Sequence, residues 1–99
     1  MSFVSNINQP ISKFYNETIV VGTTAVQLPD RPEASWVQIT HEDAGAKIYI
    51  GGDENLTIAN GWGALTLDDT TERYPVVNLN KIWLVSDTVG TVVRLLWGE

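Results

Sequence analysis

The chain has no cysteine, a single histidine, and only six lysines and arginines among its 99 residues. Each scarcity excludes something. Without cysteine there is no disulfide framework and no thiolate chemistry, so packing or partners must supply stability. The lone His41 leaves no histidine cluster for a metal and, at the end of a strand pattern, reads as a surface residue. The basic residues Lys13, Arg31, Lys47, Arg73, Lys81 and Arg94 are dispersed in a chain of net charge −6, so the clustered positive charge that nucleic acid requires is missing. Long apolar runs are missing too. No stretch approaches transmembrane length, and the opening "MSFVSNINQPISKFYN" has neither a basic leader nor a continuous apolar block. The expectation is a product that is soluble and cytoplasmic when made, with no membrane and no nucleic-acid partner. Sustained helical periodicity is absent, and Ala, Lys and Arg are scarce.

What remains is β-forming. Val, Ile and Thr are abundant, and from Glu17 onward short β-branched and aromatic runs alternate with turn residues at intervals suited to a sandwich or barrel. Candidate strands are Thr18 to Val21, Ala25 to Leu28, Trp36 to Thr40, Lys47 to Ile50, Leu56 to Ala59, Ala64 to Leu67, Val76 to Leu79, Lys81 to Ser86 and Thr91 to Trp97. Glycine, proline, Asn and Asp punctuate them, as in Pro29-Asp30-Arg31-Pro32, Asn60-Gly61 and Asp87 to Gly90. The expected fold is all-β: an antiparallel β-sandwich or jelly-roll-like barrel of about eight short strands with an extended N-terminal arm. One domain covers residues 17–99, preceded by an arm of residues 1–16.

Alternation predicts the faces. Val37 and Ile39 share one side of their strand, and Ile48 and Ile50 share one side of theirs. In "TVVRLLW" both sides are largely apolar, the mark of a central strand or of one that covers a partner. The arm holds Phe3, Val4, Ile7, Ile11, Phe14 and Tyr15 without clean periodicity. Two readings stand: an edge strand padding its own domain, or a segment reaching onto a neighbouring subunit.

The four tryptophans divide by context. Trp36 and Trp83 fall within strands and read as packing residues. Trp62, in "ANGWGAL", follows an Asn-Gly turn and lies between glycines, a place suited to an exposed indole that meets a protein, packs over its turn or stacks on a sugar. Trp97 ends the last strand and either closes the sandwich or joins a subunit contact. The partner-contact candidates are therefore Phe3, Val4, Ile7, Ile11, Phe14, Tyr15, Trp62 and Trp97.

Acidic clusters at Glu42-Asp43, Asp53-Glu54 and Asp68-Asp69 with Glu72 raise calcium binding or paired-carboxylate hydrolysis. The spacing lacks the Asp-x-Asp-x-Asp-Gly order of a calcium loop, and solvated acidic turns account for it more simply. "GGDE", at Gly51 to Glu54, matches the opening of the diguanylate cyclase signature. Asn55 follows in place of Phe, however, and the chain has neither the helices nor the length of that α/β domain. The glycines are expected to end a strand and the acids to solvate a turn. This turn and the "NGWG" turn would then lie at opposite ends of the strand Leu56 to Ala59. No cofactor is expected and no residue is assigned a catalytic role.

The succession "NETIVVGTTAVQL", "WVQIT", "AKIYIGG", "LTIANGWGALTL", "VVNLNKIWLVS" and "GTVVRLLWG" resembles small structural proteins of tailed-bacteriophage virions, including head decoration proteins. The likeness covers about Asn16 to Gly98 and consists of strand and turn patterns; the acidic "HEDAGA" connection departs from it. The resemblance implies a sandwich or jelly roll that is commonly oligomeric. It also implies a non-enzymatic decoration or cement role at the capsid surface of the virion. The partner would be the major capsid protein or another virion protein, with a homo-oligomer such as a trimer expected. A receptor- or carbohydrate-binding module on a tail or fibre is the alternative.

Overall fold

A computed structural model describes residues 13–66 and 69–99. Of the residues singled out from sequence, Phe3, Val4, Ile7, Ile11, Leu67 and Asp68 lie outside them. The strands are β1 (Phe14–Val21), β2 (Val26–Gln27), β3 (Trp36–His41), β4 (Ile48–Gly51), β5 (Trp62–Leu65), β6 (Tyr74–Pro75), β7 (Trp83–Ser86) and β8 (Thr91–Gly98), with one 3₁₀ turn at Leu79–Lys81. They form two four-stranded sheets in the orders β1-β8-β3-β6 and β2-β7-β4-β5, and every pairing is antiparallel. Among the described strands only β4 and β5 are joined as a hairpin within one sheet; every other connection between them crosses from sheet to sheet. That is the strand order of a jelly roll.

Burial follows the period of two. In β8, Thr91, Val93, Leu95 and Trp97 are buried while Val92 and Arg94 are exposed. Both neighbours of β8, β1 and β3, run along nearly its whole length, which makes it a central strand, the first of the two readings its doubly apolar pattern allows. Val21, Val37, Ile39, Val93, Leu95 and Trp97 from the first sheet meet Ile48 and Leu84 from the second, and Ile82 just ahead of β7, across the core. Gly98 is required where it stands: a Cβ there would lie 2.7 Å from the Lys13 carbonyl oxygen and 2.7 Å from the Trp36 ring.

Several element boundaries differ from the sequence reading. β1 begins at Phe14, so Phe14, Tyr15 and Asn16 belong to a strand of the domain, paired with Gly98, Trp97 and Leu96. Leu56 to Ala59 is no strand. Its alternation is genuine, but Leu56 turns inward to 6% exposure against Gly51 while Ile58 remains 51% exposed, and the segment closes on itself as turns. Val76 to Leu79 is not a strand either: the sixth strand is Tyr74–Pro75, and Asn78 instead caps the 3₁₀ turn by accepting from Asn80 N–H.

Candidate docking site

β4 and β5 place Trp62 directly across from Ile50, and the pairing slips by a bulge between Ile50 and Ile48. Glycines shape this corner. A Cβ on Gly61 would lie 2.5 Å from the Tyr49 Cβ, so only glycine lets the loop approach β4, and Gly63 adopts the left-handed φ of 65°. Between them the Trp62 side chain projects with 73% of its surface exposed. Trp62 is therefore an exposed indole, as its setting predicts, though it opens a strand and does not sit in a turn.

Ile50 also lines a concave site of about 600 Å³ completed by Tyr74, Pro75, Val76, Val77, Lys81 and Ile82. It opens where β6, short and ending in proline, leaves the two sheets uncovered. Its walls are mainly apolar, Val77 is 75% exposed, and Lys81 supplies the one charged side chain among the lining residues. Trp62 stands one strand away from this hollow. No sequence pattern announced it, because its residues come from β4, from β6 and the loop after it, and from the 3₁₀ turn and the residue that follows, and share no local period.

The carboxylates do different work. Asp53 Oδ1 accepts from Asn55 N–H at 2.8 Å, Asp43 Oδ2 from Val92 N–H at 2.6 Å, Asp69 Oδ2 from Thr66 N–H at 2.9 Å, and Asp87 Oδ1 from Lys47 N–H at 2.9 Å. These bonds hold Asp69 and Asp87 below the usual aspartate range. These four aspartates thus staple turns and strand ends and are not merely solvated. Among the described residues no group of three or more His, Asp or Glu is gathered as a metal site. Asp53 and Trp62 lie at the same end of the β4–β5 hairpin, since the chain between them loops back to pair Trp62 with Ile50. The expectation of opposite ends fails with the strand it rested on.

Comparison with family models, with curated proteins and with solved structures found no match. The site's chemistry must speak from its residues.

Three other sequence readings are settled by position. His41 is buried at 1% exposure; its Nε2 lies 2.8 Å from the Leu65 carbonyl and Nδ1 accepts from Asp43 N–H at 3.3 Å, so it ties β3 to β5 and is no surface residue. The signal was present, because His41 continues the inward face of Val37 and Ile39. Trp97 is 4% exposed, stacks on Tyr15 with ring centroids 4.5 Å apart, and donates from Nε1 to Glu17 Oε2 at 2.7 Å. Its surface is spent within its own chain, which removes it from the contact candidates. Phe14, by contrast, is 58% exposed and Tyr15 39%.

The same Glu17 receives Arg31 in a bidentate pair, Nε to Oε2 at 2.7 Å and Nη2 to Oε1 at 2.8 Å. The Arg31 bond, ahead of the Trp97 bond, lowers the Glu17 pKa against the opposing effect of burial. A charge on the inner side of β1 is thereby neutralised by the loop that follows β2.

Proposed function

We propose that this protein is a non-enzymatic virion structural protein, a decoration or cement protein that docks on the capsid lattice of a tailed bacteriophage from the outer surface. The observation that supports docking is the apolar hollow at the β4–β6 corner with Trp62 and Val77 exposed beside it. Aromatic and aliphatic anchors in a concave, desolvated centre carry most of the energy of protein interfaces. The occupant would be an apolar segment of the major capsid protein or another virion protein, with a carbonyl or carboxylate oxygen meeting Lys81 at the rim. The net charge of −6 is tolerable on an outer face and would repel packaged DNA within.

The phage assignment itself rests on the resemblance of the strand and turn succession. A test is to mix the protein with capsids that lack it and image the heads by electron microscopy. Ordered density at symmetry-related positions is expected, and Trp62→Ala or Val77→Asp should reduce its occupancy without altering the fold. Bare heads would count decisively against the proposal.

The carbohydrate-binding alternative has one observation in its favour, the exposed indole next to the hollow formed by Gly51, Gly52, Asp53, Leu56 and Asn60. Against it, Asn60 uses Oδ1 on Thr57 N–H and Nδ2 on the Asn55 carbonyl. A stacked sugar would find these groups already engaged. Glycan-array binding that disappears in Trp62→Ala would reverse the preference.

A further inference from the structure

A sandwich of two open sheets has four edges, and three of them are protected against pairing with another chain. β2 has only Val26–Gln27, β6 is two residues ending in Pro75, and β5 is short, bulged and contains the left-handed Gly63. Short strands, proline and bulges are the usual defences of an edge. β1 has none of them. It is eight residues long, regular in its pairing with β8 from Phe14 to Val21, and among the described residues stands at the edge of its sheet.

The direction of its free groups follows from the ladder. Glu99 N–H donates to the Lys13 carbonyl, which marks Lys13 and Glu99 as a hydrogen-bonded pair; antiparallel pairs then alternate along the strand. Tyr15, Glu17, Ile19 and Val21 therefore bond to β8. Phe14, Asn16, Thr18 and Val20 turn their N–H and C=O groups to the open edge. The same four side chains form the outward face, which carries no charge, and Phe14 and Val20 are 58% and 63% exposed.

We propose that β1 pairs antiparallel with β1 of a second copy of this chain, about a two-fold axis at Glu17, joining two four-stranded sheets into one continuous sheet. In this register Phe14 lies opposite Val20 of the second copy and Asn16 opposite its Thr18, each twice. All four are hydrogen-bonded pairs. The two exposed apolar residues sit three positions on either side of Glu17, so the two-fold operation covers each with the other. Charge decides between a second copy and an arbitrary partner. Most faces of a chain at −6 repel their own copy, but the only charge on β1 is Glu17, and Arg31 holds it in a bidentate pair. Two such neutral pairs meet at the axis. The contact goes beyond docking on a capsid and does not depend on it. It is also isologous and uses up the edge, so it gives dimers and cannot close a trimer.

Sedimentation of the full chain from micromolar to millimolar concentration tests the proposal, together with amide hydrogen exchange. A reversible monomer–dimer equilibrium is expected, with the amides of Asn16, Thr18 and Val20 gaining protection as the dimer forms. Thr18→Pro removes an edge N–H while sparing the β8 ladder, and Val20→Lys adds the edge charge that β1 lacks. Each should weaken the dimer about tenfold or more. Circular dichroism and thermal unfolding of the Val20→Lys monomer should match the parent, which guards against a misfolded Thr18→Pro. Four results would overturn the idea. They are a monomer throughout, a trimer, a dimer indifferent to both variants, and edge amides protected equally at every concentration, which would mean that the chain covers its own edge.

Discussion

At the scale of single residues, Glu17 shows how one carboxylate serves both fold and surface. It accepts from Trp97 Nε1 on the core side and from Arg31 on the solvent side, and its side chain is 22% exposed, against 38% for Arg31. Because its folded pKa lies below the ordinary 4.5, its contribution is fully present above the unfolded value and is lost as pH falls through 4.5 toward the folded one. Glu17→Gln is therefore expected to lower stability at neutral pH by about 1–2 kcal/mol, discounted for the exposed guanidinium. It should also flatten the acid limb of a stability-against-pH curve measured by urea unfolding; an acid limb as steep as that of the parent would contradict the account. Asp69 and Asp87 titrate in the same direction, but they are fully exposed.

His41 and Trp97 carry a related lesson. Both have polar ring atoms and lie at or next to the end of a strand, yet each is buried because its ring N–H or nitrogen finds a partner inside the fold. A buried polar group without such partners costs about 1–3 kcal/mol. Whether a partner will be there is decided by residues far away in the chain: Leu65 for His41, Glu17 for Trp97.

At the scale of elements, β8 is the axis of the first sheet, and its last residue is the tightest point. Gly98 lies between the Lys13 carbonyl at the root of β1 and the Trp36 ring of β3, over which Arg73 stacks at 4.5 Å. Gly98→Ala must move either backbone or indole. The expected cost is about 1–3 kcal/mol, read as a lower denaturation midpoint at unchanged slope. A variant as stable as the parent would show that Trp36 can swing aside freely. The central place of β8 was legible in "TVVRLLW". The ends of β1 were not, because Phe14 to Glu17 became strand only by lying along β8, and no local pattern in "FYNE" distinguishes that from an arm. Leu56 to Ala59 failed for the converse reason. It alternates like a strand, but the glycines on either side let the loop fold inward, and β4 takes Trp62 as its neighbour.

At the scale of the whole molecule, the jelly-roll order makes nearly every pairing distant in sequence: β1 with β8, β3 with β8, β2 with β7. Loop closure must precede those contacts, so folding should be slow for a chain of this size, in the range of about milliseconds to seconds. Stopped-flow refolding followed by tryptophan fluorescence measures this directly. Microsecond folding would mean that local structure contributes far more than the topology allows.

Some of this the chain's letters determined alone. The β class, the alternation that buries Val37 and Ile39, the central character of the last strand and the turn at Gly51-Gly52 all arise from neighbours in sequence, and period and turn chemistry are local physics. The tertiary structure alone decided the rest. Strand order brought Ile50, Tyr74, Val77 and Lys81 around one apolar hollow, pairing returned Trp62 to Ile50, and the β8 ladder left alternate backbone groups of β1 facing outward. None of these is written in a window of ten residues, because each depends on which distant strand wins the neighbouring place, and that choice is made by burying the whole core at once.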